Sequence, residues 1–404
     1  MDKASRTEKK CSECDNPSKG KSNLCLICTT RHIQVKIDEF IKYTQTSAHK
    51  VEQAVQWVDW KELSDIEKIG EGGFGSVYSS CWSKDISFMR KKVGKKKRRR
   101  VIKSEREIIA LKTIGSPDLS MDNFLKEAEA LFDCYNQENS GFCIKGLTQD
   151  PISMQYYIVT EYAENGDLRK YLHVNPNLSW ENRLYIVWDI SLDLERIHKA
   201  GLIHRDIHAG NILHSGKFVH LEEGKEVHEG VAYISDFGYS MAASYPHNNK
   251  ENIYGVMPYI APEVFNGMGY SMKSDIYSIG IIMWELASGK QPFANISHDA
   301  DLVLKIYDGL RPEPTPNAPL FYLELMQSCW HKDPSKRPKA EEIGDMIEKQ
   351  MEIGLDKEKM QFIEAEEKQK TASKIDNDKI DPNAIYTSRL IPTITSLLSK
   401  RNSF

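Results

Sequence analysis

The stretch from Leu202 to Gly238 constrains this chain more than any other. It reads LIHRDIHAGNIL (Leu202 to Leu213) and, after a spacer, YISDFG (Tyr233 to Gly238). Asp206 and Asp236 are each set between apolar, strand-like runs, and Asn211 lies five residues beyond the first. Alone, an Asp or Asn in a loop is more often a turn residue than a ligand. All three carry hard oxygens of the kind magnesium prefers, and two of them are carboxylates. Phosphoryl transfer asks for such groups, because it needs positioning and charge neutralisation more than covalent help.

Other landmarks fall in order around this centre. IGEGGFGSVY puts Gly70, Gly72, Gly75 and Val77 after a strand that starts near Trp60. Glycines let a backbone close over phosphates with its amides free, although glycine clusters by themselves usually mark turns. Two lysines then end apolar runs, VIK at Lys103 and IIALK at Lys112. The second run alternates as a strand does and has Ala110 two residues before the lysine. A helix containing MDNFLKEAEALF follows, and its Glu127 lies 15 residues beyond Lys112. YYIVTEYAENGDLRKYL is an apolar strand ending at Thr160, then an Asn-Gly break. Its Asp167 is also well placed to cap the next helix.

H-R-D-x4-N, D-F-G, the G-x-G-x-x-G-x-V loop and Ala261-Pro262-Glu263 together resemble the signature of eukaryotic protein kinases. CWHKDPSKRP (Cys329 to Pro338) has the form typical of tyrosine kinases and of tyrosine-kinase-like serine/threonine kinases, and the chain resembles the latter group. The resemblance covers residues 60–350 and implies an α+β, bilobal fold with a small β-rich lobe and a large helical lobe. It implies ATP- and magnesium-dependent transfer to protein substrates, with Ser/Thr favoured over Tyr. A pseudokinase scaffold that binds nucleotide or protein partners is the alternative from another class. Asp206 would serve the accepting hydroxyl, with Arg205 and His208 beside it, and Asn211 and Asp236 would hold magnesium. Lys112 and Glu127 would form the ion pair, with Lys103 as the competing lysine. Gly70, Gly72, Gly75, Val77, Ala110, Lys112, Thr160 and Leu213 would form the nucleotide pocket. The backbones of Glu161 and Ala163 would bond the adenine edge, and Asp167 the ribose. Asp275 would brace the catalytic loop, and Arg337 would pair with Glu263. In the activation segment Ser240, Ser244, Tyr245 and Tyr254 are candidate phosphoacceptors, whose phosphate Arg205 could meet.

Two positions depart from the serine/threonine pattern. His208 stands where those kinases commonly carry a lysine, and Val256 where they carry a threonine. In that family the two residues contact one another and the catalytic aspartate, so losing both disrupts less than losing one. The hydroxyl class is left open. His208 is either a donor to the γ-phosphate or a neutral spacer.

The flanks carry their own signals. Residues 1–33 hold Cys11, Cys14, Cys25 and Cys28 as C-x2-C-x10-C-x2-C, half of the chain's eight cysteines. That spacing suits a small module on tetrahedral zinc, with unliganded thiols as the alternative. No aromatic residue lies between the pairs, so a nucleic-acid stacking platform is not expected. Residues 34–59 have apolar positions every three or four residues and predict a pair of short helices acting as a connector. RKKVGKKKRRRVIK (Arg90 to Lys103) has ten basic residues in fourteen. It reads as a solvated loop, with nuclear import or anion binding as alternatives. Polar, glycine-containing GKFVHLEEGKEVHEG predicts an extended hairpin between Asn211 and Asp236. Residues 351–404 predict a charged helix and a disordered tail, in which DPNAIYTSRL is a candidate docking motif.

The start MDKASRTEKKCSEC has no apolar core of a secretory signal, and no apolar run approaches a membrane span. A cytoplasmic protein without a membrane partner is expected, with the basic run leaving a nuclear location open. The four-cysteine head, HRDIHAGNIL, IYGVMPYIAPEV and a terminal YTSRL resemble, more narrowly, the expanded kinase-like family of arbuscular mycorrhizal fungi.

Overall fold

The computed structural model describes residues 12–14, 26–48, 54–72, 75–89, 100–113, 121–135, 144–222, 225–244, 253–315, 318–352, 361–362, 364–365, 367 and 380–394. Residues 90–99 of the basic run fall outside these, as do Cys11, Cys25 and Tyr245.

A first helix, α1 (Leu26–Ser47), precedes the small lobe. It is one continuous helix across the boundary expected at residue 33, in place of two short ones. Among the described residues the second half of the expected pattern is not helical: Ala54 and Val55 lead directly to β1 (Gln56–Trp57). Ile37 and Phe40 are buried, and Thr44 ties the helix to Val55 by accepting its N–H at 3.2 Å. Pairing with β5 thus makes Gln56–Trp57 strand and not helix.

The small lobe is a six-stranded sheet in the order β1-β5-β6-β4-β3-β2. Its other members are β2 (Leu63–Gly72), β3 (Gly75–Met89), β4 (Arg100–Lys112), β5 (Ile144–Gln149) and β6 (Tyr156–Glu161). Only β1 joins in parallel, beside β5, and a Cβ on Gly146 would stand 2.6 Å from the Gln56 carbonyl. The strand period of two sorts β4: Ile109 and Leu111 enter an outer cluster with Trp82, Tyr157 and Val159. Ala110 and Lys112 therefore face the inner side. Helix α2 (Met121–Tyr135) buries Leu125, Ala128, Leu131 and Phe132 at helical spacing. Phe40 of α1 meets Phe132 edge-on, with ring centroids 6.4 Å apart, so α1 buttresses the helix that carries Glu127.

The large lobe is helical. After α3 (Leu168–Val174) comes α4 (Trp180–Lys199), then β7 (Leu202–Ile203). The expected long hairpin is β8 (Ile212–Glu222) with β9 (Lys225–Ile234). Then follow β10 (Met241–Ala242), which pairs with β7, β11 (Ile253–Gly255), α5 (Pro262–Phe265) and α6 (Met272–Ser288). The last helices are α7 (Ala300–Asp308), α8 (Leu320–Cys329) and α9 (Ala340–Glu352). Helix α6 is buried along almost its whole length, capped by Ser271 and Ser274 at its start and by left-handed Gly289 at its end. Beside it Arg337 grips Glu263 with two parallel bonds of 2.6 and 2.8 Å.

The expectation of a wholly disordered tail is corrected for residues 380–394. They run along the large lobe and end in β12 (Arg389–Ile391), antiparallel to β11. Backbone bonds Asp381 N to Ala294 O and His298 N to Asn383 O, and the buried Ile391 and Ile394, hold the segment down. A local reading of charge and low aromatic content cannot register such a partner, which lies far away in sequence. Among the described residues no helix is long and apolar enough to cross a membrane.

Candidate active site

Between the lobes lies a cavity of about 320 Å³. Its walls include Gly70 and Val77 of the hairpin β2–β3, Ala110 and Lys112 of β4, Thr160 of β6, and Leu213 of β8. Glu161, Ala163 and Asp167 line the strip joining the lobes, and Asn211 and Asp236 the floor. Gly72 and Gly75 pair with each other at the tip of the hairpin. Asp167 accepts from Lys170 N at 3.1 Å and caps α3, so its capping role and its place at the cavity coexist.

Lys112 Nζ sits 2.7 Å from Glu127 Oε1 and 2.7 Å from Asp236 Oδ1, across both lobes. Lys103 lies opposite Ile86 in the outer part of the β3–β4 ribbon, away from this cluster. Burial alone would lower the Lys112 pKa, but the two carboxylates outweigh it and hold it above the ordinary lysine value. Burial pushes Glu127 up despite Lys112, whereas the ammonium holds Asp236 below the usual carboxylate range against its own burial. The trio carries two potential anions for one cation, so a further cation at Asp236 would be welcome.

The catalytic-type loop is held from below. Asp275 accepts the N–H groups of His204 and Arg205 at 2.9 and 3.0 Å, and Arg205 has a φ of 74°. That conformation is costly for a non-glycine residue and persists only where the surroundings impose it. The Arg205 guanidinium lies over the Tyr270 ring, 4.7 Å from its centroid, with Nη1 3.3 Å from Met241 Sδ beside the activation segment. Of the candidate phosphoacceptors there, Tyr254 lies on β11, with its ring 4.2 Å from that of Tyr239.

Asp206 is buried, and Asn211 Nδ2 donates to its carbonyl at 2.8 Å and to Oδ2 at 3.3 Å. Both bonds use the amide nitrogen of Asn211, which leaves its amide oxygen for a cation. Asn211 and Asp236 thus fit a magnesium ion, which takes one or two protein oxygens and completes its shell with phosphate and water. Among the described residues no three His, Cys, Asp or Glu side chains gather as a metal cage.

One member of the site has no local sequence signal. Ser388 Oγ, in the docked tail, donates to Asp206 Oδ2 at 2.7 Å and lies 3.2 Å from His208 Nε2. His208 Nδ1 accepts from Gly210 N at 3.1 Å, which puts the imidazole proton on Nε2, pointing at the serine oxygen. The YTSRL motif was the only hint, and it named no partner.

The two-lobed fold, the bridging lysine and the braced loop define a protein kinase domain. Residues 63–347 match the protein tyrosine and serine/threonine kinase family, and the chain belongs to it. It is similar to the tyrosine-protein kinase TXK of Homo sapiens, 32% identical over 294 residues, covering 71% of this chain and 48% of that protein. The dual specificity protein kinase pyk3 of Dictyostelium discoideum is 28% identical over 294 residues, covering 71% of this chain and 18% of its own length. The receptor-interacting serine/threonine-protein kinase 4 of Mus musculus is 29% identical over 302 residues, covering 70% and 33%. The chain thus spans less than half the length of these relatives, and they differ in the hydroxyl their names imply.

Proposed function

We propose that this chain is an ATP- and magnesium-dependent protein kinase that phosphorylates serine or threonine in preference to tyrosine. The observation that carries the reading is the bridge from Lys112 to Glu127 and Asp236 across the cavity. A lysine so anchored presents its charge to phosphates entering the cleft, and it is already paid for in position before the nucleotide arrives. Asn211 and Asp236 would hold magnesium, which neutralises phosphate charge when bound. Asp206 would orient the accepting hydroxyl and take its proton. Every ionisable group that the transfer needs is present, which weighs against the scaffold alternative.

The preference for an aliphatic hydroxyl rests on depth. A backbone paired with β11 delivers a serine hydroxyl to Asp206 at 2.7 Å. A tyrosine hydroxyl stands a whole ring farther from its backbone and would need the chain to lie well away from Gly255. Phosphotransfer from ATP to a degenerate peptide library, with magnesium or manganese, tests the reading. Label on serine or threonine, lost in Asp206→Asn, is expected. Tyrosine-only label overturns the preference, and no label above that of the variant overturns the activity.

We also assign a structural zinc to the N-terminal cysteines. Cys14 and Cys28 have Sγ atoms 3.4 Å apart, far beyond a disulfide and near the ~3.8 Å between thiolates of one tetrahedral zinc. Cys11 and Cys25 would complete the set. Metal analysis of the full chain should find one zinc per chain, lost in Cys25→Ser; a metal-free wild type refutes it. With the cysteine head and terminal YTSRL, we place the chain in the expanded kinase-like family of arbuscular mycorrhizal fungi. Substrates are proteins in this reading.

A further inference from the structure

We propose that the C-terminal segment around Ser388 is an intramolecular substrate: the kinase phosphorylates Ser388 of its own chain, and the segment keeps other substrates out until it leaves. This rests on the kinase reading above and adds to it the identity of one acceptor.

Three independent features converge on Ser388. The first is the hydroxyl itself, within the 2.6–3.2 Å range in which a general base must lie. It donates to Asp206 Oδ2 at 2.7 Å while His208 Nε2 lies 3.2 Å from its oxygen. The histidine proton occupies one lone pair of Oγ and the carboxylate takes its hydrogen, so the remaining lone pair is fixed in direction. The second is the backbone. Arg389, Leu390 and Ile391 pair with Gly255, Tyr254 and Ile253, an added strand that sets the register directly after Ser388. Main-chain pairing gives such a peptide affinity, and its alternate side chains give specificity.

The third is the built anchor before the serine. Tyr386 OH donates to Pro292 O at 2.9 Å, and Arg169 Nη1 donates to Tyr386 O at 3.0 Å. His298 Nδ1 lies 3.0 Å from Ile385 N and 2.9 Å from its oxygen, and Arg389 Nη2 reaches His298 O at 2.6 Å. A segment held on both sides of one serine cannot slide by a residue. Among the described residues, none of the tail lines the nucleotide cavity. Nucleotide and acceptor can be present together.

In the transfer, the Ser388 Oγ–phosphorus bond forms and the bond from the γ-phosphorus to the bridging oxygen breaks. ADP leaves with that electron pair, and the hydroxyl proton passes to Asp206 Oδ2. The product carries close to two negative charges beside the buried Asp206 carboxylate, and like charges there favour release of the segment.

The test uses the full, phosphatase-treated chain with magnesium-ATP. Mass spectrometry should find phosphate at Ser388, formed with a rate constant unchanged over a hundredfold range of protein concentration. Ile391→Asp, which unseats the tail anchor, should slow labelling of Ser388 at least tenfold while raising the rate on library peptides severalfold. Retained peptide activity also shows that this variant is folded. Ser388→Ala should lose the label at that position. If the wild type phosphorylates library peptides while Ser388 stays unmodified, this inference fails and the kinase reading stands. A labelling rate that rises with protein concentration also overturns it. If no chain labels peptide or Ser388, the kinase reading fails and takes this one with it.

Discussion

Replacing Lys112 by methionine should make stability depend on pH in a way that identifies Glu127 as the group left stranded. In the wild type one ammonium serves two carboxylates at 2.7 Å each. Glu127 is 2% exposed, and its Oε2 already has no hydrogen-bond partner among the described residues. Removing one partner of a buried ion pair costs roughly 3–5 kcal/mol, because the other charge is left uncompensated. The folded variant can recover part of this by protonating Glu127, whose pKa burial already pushes up and which would lose the opposing pull of Lys112. A carboxyl raised in the folded state holds a proton that the unfolded chain has released. Its stabilisation is complete below the unfolded pKa and is lost as pH rises through the folded one. Each pH unit in that window costs about 1.4 kcal/mol. Between pH 6 and pH 8 Lys112→Met should therefore lose more stability than the wild type does. Lys112→Met with Glu127→Gln should lose the part of that pH dependence which Glu127 supplies, leaving the part due to Asp236. Urea unfolding at the two pH values measures this, and phosphotransfer by Lys112→Met should fall at least about a hundredfold. Equal pH dependence in Lys112→Met and wild type would refute the charge assignment.

Two further outcomes follow from buried charges away from the cleft. Arg337 is 2% exposed and bonds Glu263 twice, so Glu263→Ala should cost roughly 3–5 kcal/mol. Glu263→Leu with Arg337→Met should cost much less, and melting temperatures of the three chains decide the matter. Burial pushes the Glu285 pKa up to about 7, against an ordinary 4.5, so the folded chain keeps a proton there that the unfolded chain loses. Stability should fall as pH rises from about 4.5 to about 7, by about 3 kcal/mol from this group. Glu285→Gln should flatten that fall, and an unchanged pH profile in Glu285→Gln would count against the burial account.

What the sequence made legible was what is local or strongly periodic. LIHRDIHAGNIL and YISDFG are short, and the hairpin between them declares itself by alternation and glycine. The choice of Lys112 over Lys103 drew on the strand period, since Ile109 and Leu111 mark one face and leave Ala110 and Lys112 on the other. The helix–strand choice after Ser47 was not legible, because spacing at three or four residues is weak over so few positions and pairing with β5 decided it. Least legible was Ser388. It lies 182 residues from Asp206, in a segment whose composition predicts disorder. Its order comes in good part from backbone carbonyls of Pro292, Ala294 and His298, which carry no side-chain signature.

The two departures at His208 and Val256 acquire a common sense beside Ser388. A lysine after the catalytic aspartate would bring a charge to the transferred phosphate and rely on the family's threonine to steady it. Here Val256 is buried in the apolar core and offers no hydroxyl, and His208 is steadied instead by the Gly210 amide. The imidazole can then present only one proton, and it presents it to the accepting oxygen. Gly255 completes the arrangement. Its φ of 149° lies where side chains are disfavoured, and a Cβ there would come 3.4 Å from Asp206 Oδ1. The glycine thus lets one short stretch of backbone do two things: pass close to the aspartate and pair with Arg389, the residue after the acceptor. Depth of approach, register and hydroxyl orientation are fixed by Gly255, β11 and His208 in turn, and all three converge on a hydroxyl one bond from its Cβ.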